Sequence, residues 1–156
     1  MYSRLYTRVL NGNAWVHSAL CNTSLHGDAT LFSLQGSAMP EDAGKLVAVL
    51  VREASDMKRG FSDEEVSRAK NQVKSALHMN LESRHVLFED LGQQMLAYGR
   101  RIPPRELQEK IDALTGEDLS RVAQIMLDSN PTLVVAGDSK FMVPSHSVVS
   151  SALKKS

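Results

Sequence analysis

The stretch from Ser62 to Pro104, SDEEVSRAKNQVKSALHMNLESRHVLFEDLGQQMLAYGRRIPP, limits the fold more than any other part of the chain. It opens with Ser62 and Glu65 in capping-box spacing, in which each side chain satisfies the other's end amide. Val66, Ala69, Val73, Ala76 and Leu77 then recur at three- and four-residue spacing, with Arg68, Lys70 and Lys74 on the opposite face. A second stripe, Val86, Leu87, Leu91, Met95 and Tyr98, follows the polar group Glu82-Ser83-Arg84. The pattern predicts two helices with a kink or short break between them. Gly99 closes the second, and Pro103-Pro104 forces extended backbone before a new helix start.

The segments before this stretch are expected to fold as helix, strand, strand, helix. Ser3–Leu10 reads as a short helix with Leu5 and Val9 on one side, ended by Asn11-Gly12-Asn13. In Ala14–Asn22, Trp15, His17, Ala19 and Cys21 share one face, with Val16 and Leu20 on the other, a mixture that suits a strand covered on both sides. Thr23–Ala29 is expected to turn. Thr30–Ala38 alternates cleanly, with Phe32, Leu34, Gly36 and Ala38 on one face, and the two strands would pair antiparallel. Pro40-Glu41-Asp42 starts a helix whose buried stripe would be Ala43, Leu46, Val47, Leu50, Ala54 and Met57, stopped by Lys58-Arg59-Gly60.

After the central stretch, Leu107, Ile111 and Leu114 give one more helix its apolar face. Thr115 caps another, in which Leu119, Val122, Ala123, Ile125 and Met126 are expected to be buried. Asn130-Pro131 ends it, Thr132–Ala136 (TLVVA) reads as a short buried strand, and Gly137-Asp138 turns the chain. Ser145–Leu153 forms a closing helix, and Lys154-Lys155-Ser156 a loose tail. The expected class is α+β, a single domain over residues 1–156 with an antiparallel sheet covered by several helices. Three strands make a thin sheet for so many amphipathic helices, so the opening strands of such a unit are expected to be missing.

Composition excludes several functions. Lys+Arg and Asp+Glu number 18 each, which removes the basic footprint of a nucleic-acid binder. The single cysteine, Cys21, forms no internal disulfide and is expected in the core. The longest strongly apolar run, Leu46–Val51, is too short to span a bilayer. Residues 1–27 carry Arg4 and Arg8 but no acid, as a mitochondrial transit peptide would, yet the strand pattern follows at once and favours an ordinary folded helix.

No H-x-x-E-H or H-E-x-x-H occurs, so the zinc-peptidase signature is absent. His78/Glu82 and His85/Glu89 each set an imidazole and a carboxylate four residues apart, two metal ligands at most, and such pairs are commonplace on exposed helix faces. Glu82, Glu89 and Asp90 flank the break in the central stretch. They could attract a basic peptide, although acids also suit the first turn of a helix. No catalytic set and no metal site emerge.

MNLESRHVLFEDLGQQMLAYGRRIPPRELQEKID resembles the α-type subunits of the mitochondrial processing peptidase, within the pitrilysin/insulinase-type metallopeptidases. MYSRLYTRVLN, WVHSALCNTS, DEEVSRAKNQVKSALHMNLESR and TLVVAGD fit the same pattern in order, so the resemblance runs from Met1 to about Val149. It implies most of the second of two related α+β halves. The family's glycine-rich loop would lie just before MYSRLY and so outside this chain, and Met1–Leu10 would be an internal helix rather than a transit peptide.

The resemblance also implies a mitochondrial location, in the matrix or on the matrix face of the inner membrane. A homologous β-type subunit would be the partner and would carry the zinc, so that this chain needs no cofactor of its own. Presequence peptides would be the substrate. The alternative is a structural core subunit of ubiquinol–cytochrome c reductase (complex III), partnered by the other subunits of that complex. In active relatives the second half supplies an Arg and, seven residues on, a Tyr that contact substrate. Arg8 and Trp15 stand at those places, and Trp has no hydroxyl to offer. The residues themselves favour a surface Arg8 and a core Trp15. Arg8, Trp15, Glu89 and Asp90 are the candidate substrate contacts.

Overall fold

The computed structural model describes residues 3–138 and 143–154. These residues are α+β, with one two-stranded antiparallel sheet, a short π-helix and six α-helices. They group into two compact units, residues 1–59 with 120–156 and residues 60–119.

The first unit contains the π-helix Leu5–Leu10, strands β1 (Val16–His26) and β2 (Ala29–Ala38), and helix α1 (Ala43–Asp56). The later part of α5 (Gly116–Asp128) and α6 (His146–Lys154) complete it. The π-helix shows its wider register in the bond from the Asn11 amide to the Tyr6 carbonyl, 2.9 Å. Asn13 explains why it ends where it does, since its Nδ2 donates to the carbonyls of Val9 (2.9 Å) and Arg8 (3.1 Å) that the helix leaves open.

The hairpin is longer than expected. Instead of turning over Thr23–Ala29, β1 continues to His26, which pairs with Ala29 across Gly27-Asp28. The mixed faces of β1 have a different cause from cover on both sides. The register shifts between Val16, opposite Ala38, and Ser18, opposite Ser37, and this bulge changes the parity of the strand. Val16 and Ala19 therefore both join the cluster around Val9 and Leu46. Leu20, Leu25 and Leu31 are exposed, Leu25 at 80%, so the hairpin is not covered on both faces within this unit. Cys21 is exposed too, contrary to a core position.

Helix α1 is the centre of the unit. Leu46 packs with Val9 and Val16, while Ala54 packs with Leu127, Val149 and Leu153. Gly36 lets the sheet approach, because a Cβ there would meet Leu46 Cδ1 at 3.1 Å and the Ser18 carbonyl oxygen at 3.2 Å. On α5 the buried residues are Ala123 and Leu127, whereas Val122 and Ile125 face out. Thr132–Ala136 joins no ladder among the described residues and Val134 is exposed. Its sequence has strand character, but a strand exists only where a neighbour takes its backbone bonds. Lys154 ends α6 and donates from Nζ to Asn130 Oδ1 at 3.0 Å, so it is not loose tail; Lys155 and Ser156 lie outside the described residues.

The second unit holds α2 (Asp63–Glu82), α3 (Arg84–Tyr98) and α4 (Pro104–Ala113). The Ser62/Glu65 capping box forms as expected, the chain breaks at extended Ser83, and Gly99 closes α3 at φ 66. The stripe of α2 is reduced to Val66, which is buried, and partly buried Leu77; Ala69, Val73 and Ala76 are exposed. The side expected to be free carries Lys70, which donates to the Asp112 carbonyl (2.9 Å), and Lys74, which reaches Asp112 Oδ1 (2.7 Å), tying α2 to α4. In α3, Met95 and Tyr98 are exposed and Gln94 is buried in their register. Phe88, Met95 and Leu96 form a second apolar face of α3 that points to solvent, Leu96 at 92%. Leu114 is exposed as well.

Two charged contacts yield measurable expectations. The buried Lys58 ammonium donates to the Leu153 carbonyl at the end of α6 (3.0 Å) and sits 3.6 Å from Asp128 of α5. Lys58→Met should lower stability by about 1.5–3 kcal/mol in urea unfolding, the range for a lost charge-assisted bond; an unchanged midpoint would refute this role. In the second unit, hydrogen bonds first from Arg100 and then from Lys110 bring the Glu106 carboxyl from its ordinary 4.5 to about 2. A depressed folded-state pKa adds stability above pH 4.5 that is lost as pH falls toward 2. Glu106→Gln should flatten that acid limb. An NMR titration midpoint for Glu106 near 4.5 would contradict the pairing.

Candidate functional site

Arg8 lies in the π-helix with its side chain 47% exposed. One nitrogen, Nη1, is 3.6 Å from Glu53 Oε2 and 3.9 Å from Asp56 Oδ2. Both acids come from the last turns of α1, one helical step apart on the side facing the π-helix. Arg4 adds a bond from Nη1 to the Asp56 carbonyl (3.3 Å), Arg52 Nε lies 3.8 Å from Glu53 Oε1, and Arg59 Nη1 is 3.1 Å from Asp56 Oδ1. Glu53 is 6% exposed and its Oε2 has no hydrogen-bond partner, so the ion pair with Arg8 is what compensates that oxygen. Trp15 is partly buried and packs on the Val9, Val16 and Leu46 cluster, a core role as the residues favoured.

Glu89 and Asp90 belong to the other unit. Glu89 is exposed and pairs with His85 at 3.4 Å. Asp90 accepts from Gln94 Nε2 (2.7 Å), and Gln94 Oε1 in turn accepts the Ile102 amide (2.6 Å), so the carboxylate is engaged in holding the loop before Pro103. His78 bonds to Gln108 of α4 rather than to Glu82. No group of three or more His, Cys, Asp or Glu side chains able to hold a metal occurs among the described residues. Partial burial pushes the Cys21 thiol above its ordinary range, which disfavours the reactive thiolate.

Sequence reasoning missed Glu53 and Gln94. The signal was present in both cases as a polar residue standing in an apolar register: Glu53 between Leu50 and Met57, and Gln94 between Leu91 and Tyr98.

Residues 1–73 match the model of the Peptidase M16 inactive domain. The chain is 39% identical over 140 residues to the mitochondrial-processing peptidase subunit alpha of Caenorhabditis elegans, covering 90% of this chain and 27% of that protein. The Neurospora crassa subunit alpha is 46% identical over 129 residues (80% and 22%), and that of Solanum tuberosum 37% over 156 (99% and 31%). Among solved structures, a chain of complex III2 from Candida albicans superposes with a TM-score of 0.71 at 24% identity, over 80% of this chain and 30% of that one. That likeness shows the fold. The protein is a relative of the M16 peptidases. Within them it is related to the subunit alpha of mitochondrial-processing peptidase, and it spans less than a third of the length of these relatives.

The Arg8–Glu53 geometry predicts an asymmetry in stability. Arg8→Met should cost about 1–3 kcal/mol by leaving the Glu53 Oε2 buried with no cation of its own, Arg52 standing 3.8 Å from the other oxygen. The double variant Arg8→Met/Glu53→Met should recover much of that loss. Additive losses in the double-mutant cycle would show that the pair is not coupled.

Proposed function

We propose that this chain is part of a non-catalytic α-type subunit of the mitochondrial processing peptidase. It supports presequence recognition and cleavage by a zinc-bearing β-type subunit in the mitochondrial matrix. The observation that carries this reading is the 37–46% identity to subunit alpha along 80–99% of the chain. Cleavage itself is metal-assisted hydrolysis, with the zinc and its activated water supplied by the partner.

A second physical quantity supports a role inside an assembly. The chain exposes 11065 Å². Separate compact globules of the masses of the two units would together expose only about 9,300 Å². The exposed surface includes large apolar side chains such as Leu25, Phe88 and Leu96. Surface of this kind belongs to proteins that bury it against others.

Within this reading Arg8 is the side chain available to a substrate carbonyl, since half of it faces solvent while the α1 carboxylates fix its direction. Trp15 adds packing without a hydroxyl, and Glu89 is the freer of the two acids for a basic presequence.

The test is twofold. Tagged chain recovered from mitochondria should bring down a β-type subunit. The chain alone should show no chelator-sensitive cleavage of a presequence peptide. Cleavage by the chain alone, or copurification with cytochrome b in place of a β-type subunit, would overturn the proposal, and the second result would favour the complex III core reading.

A further inference from the structure

The first unit contains a cleft of about 310 Å³ between α1 and α6, at the small end of the range for sites that hold a discrete ligand. Its lining is mostly aliphatic and includes Val51 on α1 and, on α6, buried Val149 with Val148 and Ala152. Its rim is charged. Arg52 and Asp56, four residues apart on α1, and Arg59, in the 3-10 turn that follows the helix, all line the opening.

The charges on that rim do not balance. Asp56 is shared by Arg59 at 3.1 Å and Arg8 at 3.9 Å, and Glu53, the other acid, is buried behind Arg8 and Arg52. Among the charged groups that line the cleft, two guanidiniums, Arg52 and Arg59, thus stand against one carboxylate, Asp56. Arg52 meets Glu53 only at 3.8 Å, beyond hydrogen-bond length, is largely exposed and lines the cleft. One further carboxylate would bring this cluster to neutrality. Planar guanidinium groups are suited to hold it through paired N–H donors. Apart from Ser55, the remaining lining residues are aliphatic, and none carries a charge.

We propose that the α1–α6 cleft binds a small free aliphatic carboxylate, with its head group on Arg52 and Arg59 and its chain between Val51, Val148 and Ala152. A basic presequence does not match a cationic rim, so this site is separate from the substrate role proposed for Arg8. The apolar body supplies most of the binding, while the carboxylate selects against neutral and cationic analogues.

Octanoate titrated into the full chain, followed by amide NMR, tests this directly. Saturable shifts are expected in α1 around Val51–Arg59 and in α6 around Val148–Ala152. Octanamide, with the same chain and no charge, should bind at least fivefold more weakly. Arg52→Gln should weaken octanoate at least threefold and leave octanamide unchanged. Equal affinity for octanoate and octanamide in the unaltered protein would overturn the proposal without recourse to any variant. So would shifts centred on the exposed apolar residues of the hairpin or of α3, because octanoate would then be reporting general stickiness. Failure of the subunit-alpha assembly test would leave these outcomes unaffected.

Discussion

The first unit depends on α1 being apolar over more than one face. At its start Leu46 closes a cluster with Val9 and Val16, and two turns later Ala54 closes another with Leu127, Val149 and Leu153. Each cluster is small, and among the described residues Val9 alone has its side chain wholly removed from water. Hydrophobic burial of roughly 1.5–3 kcal/mol per large aliphatic side chain goes only part of the way with so few of them. The same helix therefore carries polar anchors into partly dry surroundings. Glu53 faces the π-helix, and Lys58, just beyond the end of α1, caps the carbonyl end of α6 and meets Asp128. A cation at a helix C-terminus gains from both the open carbonyls and the macrodipole, which is why a buried lysine is tolerated there.

Elements were readable in the sequence wherever local chemistry decides them. Ser62 with Glu65, Gly99 and Thr115 mark helix ends through bonds made within a few residues, and Pro104 through its fixed φ; those boundaries hold to within a residue or two. What faces inward was readable only where the neighbour was part of the same local pattern. The stripe of α2 pointed to Val73 and Ala76, yet the helix it meets, α4, lies on the Lys70/Lys74 side and is held by polar bonds to Asp112. Periodicity shows that a helix has faces; it does not say which neighbour will occupy each. For α3 the problem is sharper, because Leu87 and Leu91 lie on one side and Phe88, Met95 and Leu96 on another. The β1 bulge made the same kind of trouble in a strand, since a parity change imitates two-sided burial.

The candidate site was only partly visible for a different reason. Arg8 and Trp15 were named through a family resemblance, which gives positions but not surroundings. The structure adds the surroundings: Trp15 is committed to the Val9 cluster, and Arg8 is restrained by two carboxylates that no motif includes. Those acids stand far from Arg8 in the sequence, so the pairing depends on the packing of the π-helix against the end of α1. A guanidinium fixed in this way loses little further entropy on meeting a carbonyl, whereas a free surface arginine loses most of its rotamer freedom. Being charge-compensated, it also attracts anions less than a bare arginine would, which suits a neutral backbone carbonyl better than a carboxylate.

Glu53 and Gln94 solve the same physical problem. Each interrupts an apolar stripe, each is buried, and each faces an irregular piece of backbone that its helix must hold: the π-helix at Arg8 in one case, the Ile102 amide ahead of Pro103 in the other. A wholly apolar stripe would bury more surface but could slide against such a segment, because dispersion contacts set no direction. A buried carboxylate or amide has a large penalty if its partner moves away, and that penalty fixes one arrangement over its neighbours. The asymmetry is unequal between the two. Gln94 is satisfied through both ends of its amide, by Asp90 and by Ile102. Glu53 is not, since its Oε2 relies on an ion pair at 3.6 Å with no hydrogen bond. The Arg8 contact is thus the less completed of the two. A small inward movement of the guanidinium would shorten it toward hydrogen-bond length and strengthen it.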